Sequence, residues 1–195
     1  THLRFSLNNY ATDLSKTFSG NVDKLIIGPL LGFSLLGNYA LGIQVLMLLT
    51  LLPSIIFTYI LPNEAGGNPS KKIKKIAILI SVIIGLSGSI FAPMALPIFL
   101  PKYIYAAEII RIISFAVIPK TVSMMYRSKF LSNNNSFPLM IGGIIFVIVQ
   151  VSGIVSLGTM WGINGIASSL LLAASAEAIF LVIIDFKFRK HIQKK

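Results

Sequence analysis

The chain has no cysteine, which removes disulfides and thiolate-held metals from consideration. Histidine occurs twice, as His2 and His191, at opposite ends and without the spacing a metal site or a catalytic pair requires. Charge is also scarce. Asp and Glu together number 6, and charged residues of both signs make up 12% of the chain, where a soluble domain carries about 25%. There is no glycine-rich phosphate-binding loop, so direct use of ATP is not expected. No cofactor, no metal and no enzymatic activity are expected.

What is present is apolar. Hydrophobic residues are 55% of the 195, and the mean hydropathy is +0.83. Net charge is +11. In a soluble protein that excess would suggest nucleic acid. Here the cations gather in short linkers between apolar runs, which is a membrane pattern, so the expected surroundings are lipids and not nucleic acid. The pattern predicts an all-α polytopic bundle of six transmembrane helices in one domain, 1–195, at about 3–27, 35–61, 73–100, 104–131, 137–157 and 162–186. The apolar runs of the last five each reach the roughly 20 residues a crossing needs. Thr1-His2-Leu3-Arg4 is neither an initiator Met nor a signal peptide, which fits a piece of a longer chain.

The first helix stands apart. Arg4, Asn8, Thr12, Ser15, Ser19 and Asp23 recur at three- and four-residue steps on one face, with Leu3, Leu7, Ala11, Leu14, Phe18, Val22 and Leu25 opposite. Such a helix either lies flat on the membrane or faces water within a bundle. It leads through a tight Gly-Pro linker straight into a spanning helix, and its polar face mixes amides, hydroxyls and acids with cations, which favours the second reading.

Further along, Pro53 falls mid-helix, and a kink is expected there. Pro93, Pro97 and Pro101 predict an irregular end to the third helix. The fourth carries Glu108, Arg111, Pro119 and Lys120, and the fifth is apolar except for Gln150. In the sixth, Gly165, Ser169 and Ala173 form a small-residue stripe whose next member is Glu177. Small residues let helices approach closely, so Glu177 should face protein.

With six crossings the linkers alternate sides. One side collects Arg4, Lys71, Lys72, Lys74, Lys75, Arg127, Lys129, Lys187, Arg189, Lys190, Lys194 and Lys195, and the other only Lys102. The positive-inside rule then puts both termini in the cytoplasm.

Asp23, Ile26-Ile27-Gly28, Leu31-Gly32 and Leu36-Gly37-Asn38-Tyr39-Ala40-Leu41 resemble the polysaccharide flippases of the multidrug/oligosaccharidyl-lipid/polysaccharide exporter superfamily. Tyr103 to Ile112 and Gly162 to Glu177 are similar too. The resemblance implies the C-terminal half of a two-bundle transporter, whose partner is the N-terminal half or a second copy. It implies a multi-pass protein of the cell membrane that turns a polyprenyl-diphosphate-linked saccharide across it.

That cargo needs cations for its diphosphate and polar side chains for its sugars. Lys16, Arg111 and Lys120 are the expected cations, and Asn8, Asn9, Ser15 and Asn21 the expected lining of the sugar path. The alternative is local pairing, Asp13 with Lys16 and Glu108 with Arg111. Asp13, Asp23 and Glu177 are candidates for a coupling cation or proton. A cation-coupled multidrug exporter of the related branch is the competing function, though basic residues at membrane depth suit it poorly. A membrane glycosyltransferase or polymerase would need acidic catalytic loops, and the linkers near Pro29, Lys102 and Thr159 are too short to hold one.

Overall fold

A computed structural model describes residues 21–192 apart from 69, 100, 104 and 134. The described residues contain no strand. Eight helices follow in order: α1 (Val22–Leu31), α2 (Phe33–Leu49), α3 (Leu51–Ala65), α4 (Lys71–Phe99), α5 (Ala106–Ile113), α6 (Val117–Ser132), α7 (Phe137–Gly153) and α8 (Thr159–Ile192). Most of the expected first helix lies outside the described residues, and α1 is its end.

The second expected helix is two, α2 and α3, bent by 46° at Thr50. Pro53 has no N–H to bond the Leu49 carbonyl, and its ring presses on that group. The Thr50 hydroxyl also donates to the carbonyls of Leu46 and Met47, both at 2.9 Å, a back-bonding that bends helices. The expected irregular end of the third helix is confined to Pro101, which opens a 3₁₀ turn. α4 continues through Pro93 and Pro97 to Phe99 and breaks only before the 3₁₀ turn Pro101–Tyr103. Each proline removes one rung of the hydrogen-bond ladder, and the two lie four residues apart, so the rungs between them remain.

α5 and α6 form one apolar run, Ala106–Ser132, tightened by a 3₁₀ turn at Ser114–Ala116. That turn includes Phe115, whose carbonyl Pro119 leaves without a partner. α7 and α8, joined by a π-helical turn at Ile154–Gly158, belong to a stretch of 51 residues, Phe137–Lys187. Drawn straight it would be about 76 Å long, more than twice the roughly 30 Å of a bilayer core. Gly162 breaks it, with φ 55° and ψ −125°. A Cβ at Gly153 would stand 2.6 Å from that of Ser169, and one at Gly142 would stand 3.5 Å from Cγ of Glu177. α7 and α8 are therefore antiparallel neighbours.

Three stretches are long and apolar enough to cross a membrane, Lys71–Ile98, Ala106–Ser132 and Phe137–Lys187, or four if the bent α2–α3 pair is one span. The main core joins Ile27, Tyr39, Leu46, Ile109, Ile113, Ile154, Ile166 and Leu170. Gly42 lets Ile109 against α2, and Gly88 lets Ser114 and Leu49 against α4. The outer surface is greasy: Phe33, Ile98 and Met160 are each more than 70% exposed. Such a surface suits hydrocarbon and not water. The basic linkers share one end of the bundle, because Lys71, Lys74 and Lys129 line a common depression there. The α1–α2 and α7–α8 turns share another meeting point, where Leu31 packs on Gly158.

Substitution at two glycines separates these contacts from mere helix propensity. Gly153→Leu should drive α7 from α8 and cost about 1–3 kcal/mol of overpacking. Gly143→Ala, with nothing within 4 Å of the new methyl, should be neutral or stabilise by up to about 1 kcal/mol. Thermal unfolding of the purified protein in detergent checks both.

Candidate functional site

Polar groups inside so apolar a bundle cost energy unless they find partners. The described chain buries three acids in its interior, and each has a different solution.

Asp23, in the first turn of α1, is 8% exposed. The Tyr39 hydroxyl of α2 donates to Asp23 Oδ2 at 2.6 Å. The Gln150 amide of α7 donates to the same oxygen at 3.3 Å and to the Tyr39 hydroxyl oxygen at 3.1 Å. The Lys24 backbone N–H takes Oδ1 at 2.9 Å. One carboxylate thus ties three helices together, and its hydrogen-bond donors among the described residues are all neutral. Glu177 of α8 sits over Gly142, and its Oε1 lies 3.2 Å from Nη2 of Arg127 on α6. Asp185 of α8 pairs with Lys129 of α6.

Lys120 shares α6 with Arg127 and Lys129. It interacts electrostatically with Glu177 and Asp23 and is opposed by Arg127. Its Nζ stands 6.0 Å from the centre of the Phe146 ring, the outer limit of a cation–π contact. Among the described residues it makes no hydrogen bond or ion pair. Ser123, one turn further along the same face, is 4% exposed and its hydroxyl has no partner. Lys120, Ser123 and Arg127 follow at steps of three and four, so α6 presents one continuous polar face. An ammonium with no hydrogen bond and a buried hydroxyl with none, side by side, are equipped to receive an oxygen-rich ligand.

The remaining expected residues fare differently. Asn8, Asn9, Asp13, Ser15 and Lys16 lie outside the described residues. Asn21 accepts a hydrogen bond from Lys24 Nζ at 3.0 Å, beside an open, mainly apolar depression of about 560 Å³ lined also by Gly28, Phe33 and Leu36. Arg111 and Glu108 are both exposed on α5, whose buried side is Ala106, Ile109, Ile110 and Ile113, and they are not paired with each other. Arg111 precedes Lys120 by nine residues, about two and a half turns. The two cations point to opposite sides and do not form one cluster. No group of three or more metal-ligating side chains occurs among the described residues.

Three partners were not expected from the sequence. Tyr39 stands in the Leu-Gly-x-Tyr run, and Gln150 is the one amide in an otherwise apolar helix, a signal that such a group needs a buried partner. Arg127 reads as linker charge in the sequence, whereas it reaches back to Glu177.

No protein-family model, curated protein or solved structure matches the chain.

If the Asp23 cluster clamps α1, α2 and α7, its bonds should be coupled. Tyr39→Phe should destabilise by about 0.6–1.7 kcal/mol, the range seen for side-chain hydrogen bonds between membrane helices. Combined with Gln150→Leu, the loss should differ from the sum of the single losses. A double-mutant cycle on unfolding in detergent measures this.

Proposed function

We propose that the chain is a six-span half of a membrane transporter that moves a lipid-linked, diphosphate-bearing saccharide across the cell membrane. The six passes are the segment ending in α1, the bent α2–α3 pair, α4, α5–α6, α7 and α8. The lysine-bearing end faces the cytoplasm by the positive-inside rule.

The reading rests on Lys120. An ionised side chain at membrane depth costs at least about 2.5–3.5 kcal/mol on insertion scales. A structural lysine would recover that through a hydrogen-bonded acid, as Lys129 does with Asp185. Lys120 has no such bond among the described residues and lies beside the unpartnered Ser123 hydroxyl. A phosphate oxygen would satisfy the ammonium, and a sugar or phosphate oxygen would satisfy the hydroxyl. The lipid tail can remain in hydrocarbon while the polar head follows the α6 face past Arg127. The resemblance in α1, α2, α5 and α8 supplies the cargo class. In this reading the second bundle completes the passage, and the two rock about a midplane site, with the Thr50 bend and the Ser114–Ala116 turn as flexing points.

One observation favours the competing function. Asp23 is a buried acid whose donors among the described residues are all neutral, one of them aromatic, and such a site suits an organic cation. Resistance assays with cationic drugs would separate the two.

Lys120→Gln in the complete transporter should lower glycan export by about 10- to 100-fold, the loss of one hydrogen bond to a charged group. Lys120→Arg should keep part of it. Export is read by cell-surface glycan, with protein abundance measured in parallel. Undiminished export in the Gln variant at normal abundance removes the assigned role.

A further inference from the structure

The other concentration of unmatched charge lies at the lysine-bearing end. A depression of about 300 Å³ is lined by Glu64, Lys71, Lys74, Lys129, Ser132 and Asn133. A second, open depression of about 620 Å³ shares Lys71 and adds Asn63, Asn68, Ser70 and Lys72. Two of these lysines are already committed. Lys74 Nζ meets Glu64 Oε1 and Oε2 at 2.8 and 2.9 Å and donates to the Met125 carbonyl at 2.7 Å. Lys129 pairs with Asp185. The cavity acid, Glu64, also accepts from the Ser128 hydroxyl at 2.7 Å, so both of its oxygens are engaged within the fold.

Lys71 and Lys72 are left over. Both are exposed, and neither has a hydrogen bond or ion pair among the described residues. They open α4, whose first turn holds no acid. Cations there oppose the helix dipole, so the fold carries a local repulsion that an anion would relieve. Asn68 and Ser70 add an amide and a hydroxyl donor beside them, while Ser132 and Asn133 already donate to the Lys129 carbonyl.

The same face of α4 continues as hydrocarbon. Ile76, Leu79, Ile83, Leu86 and Ile90 are all about half exposed or more, and they recur at steps of three and four below Lys72. A cationic, donor-lined cavity that opens onto an apolar ridge of some four turns matches one kind of molecule, an anionic headgroup with acyl chains attached. Basic pockets between helices on the cytoplasmic side are known to take such headgroups.

We propose that the cavity around Lys71 and Lys72 binds the phosphate headgroup of an anionic phospholipid, whose chains lie along the Ile76–Ile90 ridge of α4. This site is separate from Lys120 and does not depend on what the protein transports. Its chemistry is that of a phosphate ester, and a soluble phosphate would use the same lysines without the ridge.

The test is native mass spectrometry of the full chain released from detergent. The probes are phosphatidylglycerol, phosphatidylcholine and inorganic phosphate. The wild type should retain phosphatidylglycerol in preference to phosphatidylcholine. Lys71→Gln and Lys72→Gln should each weaken retention about fivefold. Lys187→Gln removes an exposed charge outside the cavity and should change nothing. Persistence of the lipid adduct in millimolar inorganic phosphate assigns the lipid as occupant. Its displacement there, with the same dependence on Lys71 and Lys72, assigns the site to phosphate and overturns the role of the ridge. Unchanged retention in both cavity variants, or an equal loss with Lys187→Gln, overturns the site itself.

Discussion

A bilayer core offers no water to a polar group, so each one must find its partner within the protein. The Asp23 cluster shows how much structure that requirement dictates. A carboxylate at the start of α1 cannot remain buried without donors, and its own helix offers only the Lys24 N–H. The other donors come from Tyr39, 16 residues away, and Gln150, 127 residues away. Satisfying one acid therefore fixes where α1, α2 and α7 sit relative to one another. Hydrophobic burial cannot do this within hydrocarbon, because lipid tails are as apolar as leucine.

Close packing supplies the second constraint. The glycines that matter are those at which a methyl group would collide with a neighbouring helix: Gly42 with Ile109, Gly88 with Leu49 and Ser114, and Gly153 with Ser169. Gly165 is tighter still, lying directly against the Leu157 carbonyl where the chain turns from α7 into α8. The Gly153 and Gly165 contacts hold the antiparallel pair α7–α8 together near its turn, and the Arg127–Glu177 and Lys129–Asp185 pairs tie α8 to α6 further along. The small-residue stripe and the acids on α8 are thus two parts of one helix face. Ser169 and Ala173 are fully buried, and Glu177 and Asp185 follow them on the same buried face.

Much of this is legible in the chain itself, for definable reasons. Long apolar runs bounded by charged linkers set the positions of α4, the α5–α6 run, α7 and α8, since hydropathy acts over windows of about 20 residues. The bend near Pro53 follows from a missing N–H. What the chain does not disclose is pairing over distance. Nothing near Gln150 points to Asp23, and Arg127 reads as linker charge because its guanidinium reaches Glu177 only when α6 and α8 are side by side. The prolines at 93 and 97 misled for the opposite reason. Each costs a single rung, and a helix of 29 residues held by its neighbours absorbs that loss.

The contrast between the lysines of α6 bears most on function. Lys129 is matched by Asp185, and Arg127, half exposed, is matched by Glu177. Lys120 stands within electrostatic reach of two acids that are both already engaged, Asp23 by Tyr39 and Gln150, and Glu177 by Arg127. Attraction at that range reduces the cost of its charge, yet among the described residues no group takes up the ammonium's hydrogen-bonding capacity. An ordinary structural lysine would be placed the other way round, bonded first and balanced second. A half-buried cation with no hydrogen bond among the described residues is pre-organised for an anionic guest, because binding breaks no bond within that part of the bundle. The same logic separates Lys120 from Lys71 and Lys72, which are unbonded but exposed: at the surface the open capacity is met by water, whereas in the bundle it is held in reserve.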